Sequence, residues 1–545
     1  MKNLKFLLPI IAITLFSCND YLDVNTSPDL LLIDQVGPSK LLPAAQVGTY
    51  RVQASTMNQL GNVFSNAWAS NVQSYTGGYA REFQLTIDNA FYTGIWDGLY
   101  LNVNNLQKII DFPNTDHKND YYVAVAKILK AHYMQHIVDI YGDAPYDEAF
   151  TGLTNKTPKY NDDQYIYRKL LGELDDARNL IKNSDPAIAT DISGTDIMLY
   201  GDMDKWNRFA NTIELRMLVR MSNNTGAVAA YRDARLTALS TKNFLTTDVS
   251  INPGYSDSND GALNPFYATF GYDAALTATA NRTFICPSGH VYKSMIVSSN
   301  YSTTGTPEII AGSGIFYPNV TDPRFTRIFT NGASQSYRRA VTQGSTVCDV
   351  FPTTGVIGLP GRIGTGNFNP YNLITTSTFP GTSAANGYVM SLAETKFILA
   401  EAALRYPAFG SAKTYFDEGV AASFAYFGST IGTYLTTINA TKPNFGFNIA
   451  NTFSQNLHAI MYQKWASQIG VNGIESYIDY NRTGYPLTPL ALNATKTRKP
   501  RRLIYPISEY VANSANVPNL TEDQIFADTD PSFPFWQLGN PALGN

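Results

Sequence analysis

A chain of 545 residues of which 44% are hydrophobic can bury a large core, and no Gly/Ser-rich or Pro-rich linker divides it. A formal net charge of −4 excludes nucleic acid as the expected partner, because a phosphate backbone requires a concentrated basic surface. Charged residues make up only 15% of the chain, whereas aromatics reach 13% and include 35 tyrosines, a balance suited to uncharged, hydrogen-bonding ligands.

In chain order the first predicted element is an export signal over residues 1–17. Lys2 and Lys5 supply a positive start, and the apolar run from Phe6 to Phe16 is too short to cross a bilayer, which takes roughly 20 residues. Ser17 directly precedes Cys18, and Leu15 lies two residues before that serine, a spacing that fits lipidation of the Cys18 thiol before cleavage. Acyl chains on Cys18 would bury CH₂ groups at ~0.8 kcal/mol each and anchor the protein to a membrane. Residues 18–37 are polar, acidic and interrupted by Pro28, and read as a flexible tether. The body, residues 38–545, is expected to be one domain.

Over about 38–245 the pattern is helical. Val125, Ile128, Leu129, His132 and His136 recur at helical spacing, as do Tyr167, Leu170, Leu174, Ala177 and Ile181, and then Trp206, Phe209, Ile213, Met217 and Arg220. Gly142, Gly152, Pro158, Gly194 and Gly201 punctuate these stripes, so the segment reads as helix hairpins. From about 246 to 386 the composition shifts to Gly, Pro, Ser, Thr, Asn and Tyr with no sustained period. That stretch is too long for an ordinary loop and is expected to be an irregular, partly stranded insertion carrying surface loops. Helical pattern returns over about 387–486. Ala393, Phe397, Ala400 and Leu404 are followed by a break at Pro407 to Gly410, then Tyr415, Gly419 and Ala422; small residues at facing positions permit the close approach of a tetratricopeptide-type hairpin. Another helix is expected from about Thr452 to Gln468. The Pro-rich tail, 487–545, is expected to wrap the surface, and its basic run, Lys496 to Arg502, reads as a solvated or internally paired loop. Cys286 and Cys348 fit a bridge and two separate thiols equally well.

Groups able to do chemistry are sparse. His132 and His136 form an H-x-x-x-H pair on one helical face, but Tyr133 stands where a metalloprotease has glutamate and no third ligand is evident, so a structural role is expected. There is no G-x-S-x-G elbow, no Walker loop and no C-x-x-C, and Gly364-Thr365-Gly366 runs into Pro370 rather than opening a helix. Asp257, Asn259, Asp260 and Gly261 fit a turn better than a calcium loop. Asp139, Asp143, Asp147 and Glu148 cluster near Gly142; a glycosidase needs two carboxylates at a set separation, which sequence does not give, and a turn with ordinary acids is the simpler reading. No catalytic residue, cofactor or metal is therefore expected. Aromatics are the richer signal. Rings stack on the apolar face of a sugar or on peptide side chains, and the ligand-binding candidates are Trp68, Tyr75, Tyr79, Phe83, Tyr267 and Tyr272, with packing in the core as the competing role.

Cys18-Asn19-Asp20-Tyr21-Leu22-Asp23-Val24-Asn25, Tyr141-Gly142-Asp143-Ala144-Pro145-Tyr146, Thr157-Pro158-Lys159-Tyr160 and Lys205-Trp206-Asn207-Arg208-Phe209-Ala210-Asn211 with Leu215-Arg216 form an ordered set of motifs. It continues through Asn264-Pro265, Asp322-Pro323-Arg324-Phe325, Ala393-Glu394, Ala400-Glu401-Ala402, Gln463-Lys464-Trp465, Asn481-Arg482-Thr483-Gly484-Tyr485-Pro486 and Arg502-Leu503-Ile504-Tyr505-Pro506. In that order and over nearly its whole length the chain resembles the SusD/RagB-like nutrient-binding outer-membrane lipoproteins, more closely their second SusD-like branch. The resemblance implies a mostly α fold with four tetratricopeptide-like hairpins, a lipid anchor in the outer membrane facing the exterior, and binding without catalysis. It also implies a partner, a SusC-like TonB-dependent transporter on which the protein acts as a lid, capturing oligosaccharide or, alternatively, peptide. Asp20 and Asp23 fit either a surface-export signal or a soluble tether. Tyr477-Ile478-Asp479-Tyr480 departs from the tryptophans many members carry before the Arg-Thr-Gly segment, a change expected to alter packing. The family's ligand-contacting aromatics vary, so no motif selects them here, and Trp206 and Trp465 look structural.

Overall fold

The computed structural model describes residues 36–72, 77–296, 315, 317–329, 340–346 and 383–537. The expected signal peptide, Cys18, most of the tether, Tyr75, Cys348, Gly364 to Gly366 and much of the 246–386 insertion lie outside the described residues.

Helices dominate. The first part of the chain forms α1 (Pro38–Val52), α2 (Asn58–Phe64), α3 (Ala80–Gln84), α4 (Gly94–Ile110), α5 (Asp120–Tyr141), α6 (Asp163–Asn183), α7 (Met203–Arg220) and α8 (Gly226–Leu239), with a short π-helical link, Gln53–Met57, joining α1 to α2. The insertion contributes α9 (Pro265–Phe270), α10 (Ala280–Phe284), α11 (Gly289–Met295) and α12 (Phe325–Ile328). After it come α13 (Leu392–Arg405), α14 (Ala412–Tyr426), α15 (Tyr434–Thr441), α16 (Phe453–Gln468) and α17 (Gly473–Thr483), and the tail adds α18 (Ile507–Ala512) and α19 (Glu522–Ile525). The strands β1 (Trp68–Ser70), β2 (Ala144–Pro145), β3 (Tyr160–Asn161), β4 (Val249–Ile251), β5 (Ile285–Pro287) and β6 (Gly387–Met390) form three antiparallel pairs, β1–β5, β2–β3 and β4–β6.

Local chemistry sets the helix ends. Asp162, Asp202 and Ser391 accept the backbone N–H three residues on and so start α6, α7 and α13, and Thr452 with Gln455 forms a capping box at α16. Gly142 ends α5 at φ +73, a conformation that an L side chain adopts only with strain.

Sequence-adjacent helices pack on one another, α4 on α5, α5 on α6 and α6 on α7, then α13 on α14 and α16 on α17. Contacts between α7 and α13 and between α2 and α17 join the parts of the chain that flank the insertion. At the α2–α17 crossing a Cβ on Gly61 would lie 2.0 Å from the Gly473 carbonyl carbon, so only glycine permits this approach. Helix α5 is buried on nearly every face, which is why its apolar stripe is broad and its two histidines lie inside.

Two parts depart from expectation. The insertion, which has no sustained period in sequence, contains four short helices in its described portion as well as strands, each too brief to show a repeat. The tail does more than wrap the surface: Trp536 is fully buried, with its indole N–H donating to Asp139 Oδ1 at 2.9 Å, and Phe535 packs edge-on against Tyr167 with 5.0 Å between ring centroids. The basic run is internally paired. Arg498 meets Asp528, Lys496 meets Glu522 and Asp523, and Arg501 donates to the Asp528 carbonyl.

Candidate functional site

Strand pairing brings two distant aromatic stretches together. Trp68 lies opposite Pro287 and Ser70 opposite Ile285, so the 68–84 segment meets the 264–287 segment across β1 and β5. The Asn264 side chain accepts the N–H groups of Phe266 and Tyr267 and donates to the Ala385 carbonyl, while Pro265 occupies the first turn. This Asn-Pro pair pins α9, which carries Tyr267 and Phe270. The Trp68 indole meets Phe270 edge-on at 5.0 Å, and the Tyr79 ring lies 5.7 Å from Phe83 and 4.7 Å from Phe284.

Burial decides which rings can meet a ligand. Trp68, Tyr79, Phe83 and Tyr267 are 0%, 7%, 4% and 1% exposed. The expectation that these four present stacking faces is therefore not met: the β1–β5 pairing folds them inward and their area goes into the core. Tyr272 is half-buried and retains an open side. Arg282 Nε donates to the Tyr272 hydroxyl at 3.4 Å, and its guanidinium carbon lies 5.6 Å from the ring centroid. Tyr272 bridges Ala278 across a small hairpin whose tip, residues 275–278, is exposed. Sequence reading missed Arg282, because an Ala-Asn-Arg-Thr stretch shows neither periodicity nor a motif.

The buried aromatic cluster is not fully satisfied. Trp68 Nε1 and the Tyr79 hydroxyl have no hydrogen-bond partner among the described residues. Burial, followed by the charge of Glu82, pushes the Tyr79 phenol well above its usual range. Tyr79 at φ +54 and Leu85 at φ +59 bracket α3, and left-handed backbone at such residues costs about 1–3 kcal/mol each.

The charged residues of the sequence motifs converge elsewhere, in a buried network. Arg216 and Arg220 from α7 reach Glu475 on α17 at 3.2 and 2.5 Å, and Arg220 also pairs with Asp139 on α5. His136 Nε2 lies 2.9 Å from Glu475, and Arg216 contacts both His132 Nδ1 and Glu394. Arg482 grips both oxygens of Glu401 at 2.6 Å and reaches Asp479 at 3.1 Å, while Lys464 meets Asp479 at 2.7 Å. Burial pushes the Glu475 and Glu401 carboxyls up, but the adjacent arginines more than offset it, holding Glu475 well below the usual range and Glu401 at about 2. Burial holds His136 down at about 4 and pushes His132 well below the usual imidazole range. These histidines are core members of an ion network, which accounts for their spacing.

Asp322 and Arg324 form a second buried pair at 2.6 Å. The remaining acids of the Gly142 region hold backbone and neighbours in place. Asp143 Oδ1 accepts the Asp163 N–H, Asp163 Oδ2 accepts the Phe535 N–H, Asp147 accepts the Tyr165 hydroxyl, and Glu148 accepts the Lys159 N–H. Asp143, Asp162 and Asp163 place carboxylate oxygens within 4.8 Å of one another. Burial and the Asp143 charge raise Asp163 to about 7.

A family model of SusD-like proteins, described as starch-binding and associating with the outer membrane, matches residues 31–261, and a model of Susd and RagB outer-membrane lipoproteins matches residues 319–536. Among solved structures, a chitin-binding SusD homologue from Flavobacterium johnsoniae is similar, with a TM-score of 0.64 and 21% identity, covering 87% of this chain and 94% of that one. A SusD homologue from Bacteroides vulgatus gives a TM-score of 0.66 at 18% identity over 92% of this chain and 98% of its own. One from Bacteroides thetaiotaomicron gives 0.61 at 19% identity over 88% and 93%. No curated protein matches the chain.

Proposed function

The chain belongs to the SusD/RagB-like family, whose models describe outer-membrane lipoproteins, and from that premise we propose that it captures an oligosaccharide at the cell surface and delivers it to a SusC-like TonB-dependent transporter, acting as its lid. In this reading residues 1–17 direct export, Cys18 carries the lipid, residues 18–37 form the tether and residues 38–545 form one exterior-facing binding domain that performs no catalysis.

The observation that carries the reading is the Tyr272 rim. A half-buried ring held in place by the buried Arg282 offers an apolar face of the kind that the CH face of a pyranose stacks on, with exposed backbone groups of the hairpin tip beside it. The aromatics behind it, Trp68, Tyr79, Phe83 and Tyr267, support the rim by packing. The chitin-binding neighbours support the choice of β-linked amino-sugar oligomers among the first probes.

Calorimetry of the full-length protein in detergent, with chito-, cello- and malto-oligosaccharides and with short peptides, tests this. Saturable saccharide binding that Tyr272→Ala weakens about tenfold or more, with an unchanged melting temperature, is expected; tenfold corresponds to about 1.4 kcal/mol. Binding of peptides alone, or affinity indifferent to Tyr272→Ala, overturns the reading.

A further inference from the structure

Away from the Tyr272 rim, the loop after α3 and the tail around α18 and α19 flank an open cavity of about 620 Å³. Ile87, Ile504 and Leu520 pack beneath it and are buried, and the half-buried Tyr510 stands in its wall and supplies its apolar face. Its charges are already engaged. Arg81 pairs with Asp88, Glu522 Oε1 accepts the Ile87 N–H at 2.9 Å, and Glu522 Oε2 lies 3.5 Å from Lys496. What remains free is neutral: the Thr86 hydroxyl and the side-chain amides of Asn89 and Asn519 line the opening and make no hydrogen bond to the described residues.

The walls are preorganised. The Ile507 N–H donates to the Asn89 carbonyl at 2.8 Å and the Thr495 N–H to the Gln84 carbonyl at 3.1 Å, so segments more than 400 residues apart are locked together before any ligand arrives. Rigid walls reduce the ordering cost of binding. A half-buried tyrosine ring beside uncommitted neutral donors and acceptors matches an uncharged ring compound with hydroxyl edges. A charged ligand would find each cavity charge already paired.

We propose that this cavity is a second saccharide site, accepting a neutral pyranose residue whose CH face rests on the Tyr510 ring and whose hydroxyls bond to Thr86, Asn89 and Asn519. It rests on the saccharide-capture reading but not on the Tyr272 rim. Titration of chitotetraose, cellotetraose and maltotetraose into the full-length protein in detergent, followed by calorimetry, reads both stoichiometry and affinity. Two sites are expected for at least one of these probes. Asn519→Trp, which fills the mouth from an exposed position, removes one site; Asn89→Ala weakens the same site at least about tenfold; Tyr272→Ala affects only the other.

A single site lost in Tyr272→Ala and untouched by Asn519→Trp and Asn89→Ala overturns the cavity proposal and leaves the capture reading standing. A single site lost in Asn519→Trp and weakened by Asn89→Ala upholds the cavity and sinks the rim. Binding of none of the three probes overturns both. A tetra-alanine peptide that binds where the saccharides do not, and is excluded by Asn519→Trp, overturns the proposal in favour of a peptide pocket.

Discussion

Lys499 is a buried ammonium with no carboxylate partner among the described residues. Its Nζ donates to Thr488 Oγ1 and lies 4.5 Å from the centroid of the Tyr480 ring, and the residue is 5% exposed. Burial lowers it from 10.5 to about 7. A lysine depressed in the folded state destabilises the fold in full below that folded value, and less and less as pH rises toward the unfolded value. With 1.36 kcal/mol per pKa unit, the cost is about 4 kcal/mol at pH 7 and about 2 kcal/mol at pH 9. Lys499→Met keeps the stem and removes the charge, at the loss of about 1 kcal/mol for the Thr488 bond. The variant should therefore be more stable than the parent by about 3 kcal/mol at pH 7 and by about 1 kcal/mol at pH 9. Urea unfolding of both proteins between pH 7 and 9 reads this; the window stops short of tyrosine ionisation. Parallel stability curves across that range would refute a depressed Lys499, and a variant less stable at pH 7 would show that the cation is solvated or paired.

Three further outcomes follow from the network and the tail. Arg482→Met removes the two-pronged partner of Glu401 and leaves it with Arg405 alone, and leaves Asp479 with Lys464 alone, so denaturant unfolding at pH 7 should show a loss of about 3 kcal/mol. The parent's stability from Glu401 is present above pH 4.5 and lost as pH falls through about 2; the variant, with Arg405 still beside Glu401, should lose part of that acid-side dependence, and an unchanged acid limb would count against the pairing. Trp536→Ala empties a fully enclosed site and leaves Asp139 short of a donor, so it should cost about 3–5 kcal/mol and expose the tail to limited proteolysis; a native digestion pattern would contradict a plugged tail. Asp163 titrates near 7 when folded and near 3.8 when unfolded, so its contribution to stability falls as pH rises between those values; the gain from Asp163→Asn should grow by about 2–3 kcal/mol from pH 5 to pH 8, read by thermal melts, and a constant gain would disprove the shift.

The fold class was legible because periodicity is a local record of burial. The stripes at Tyr167 to Ile181 and Trp206 to Arg220 became α6 and α7, and the break at Pro407 to Gly410 became the turn between α13 and α14. The motif residues Arg216, Glu394, Glu401, Lys464 and Arg482 could be noticed along the chain, but nothing local indicates that they meet, since Arg216 and Glu394 lie 178 residues apart and Glu401 and Arg482 81. The site was less legible than the scaffold. An aromatic side chain looks the same in sequence whether it faces a ligand or a core, and the antiparallel β1–β5 pair, a contact across more than 200 residues, turned Trp68, Tyr79, Phe83 and Tyr267 inward and left Tyr272 at the rim.

By itself, then, the sequence determined what depends on short-range order and composition: helical hairpins, the change of character between about 246 and 386, and a family likeness carried by ordered motifs. Only the tertiary structure decided which side chains are shared between distant segments: the ion network through Glu475, the tail tryptophan seated on Asp139, the buried Lys499 held by Thr488, and the open cavity flanked by residues 86–89 and 504–522. The physical reason is the same in each case. Desolvation, and with it the strength of every charge and hydrogen bond, is set by what packs around a group in space, and a residue's neighbours in sequence supply only a small part of that shell.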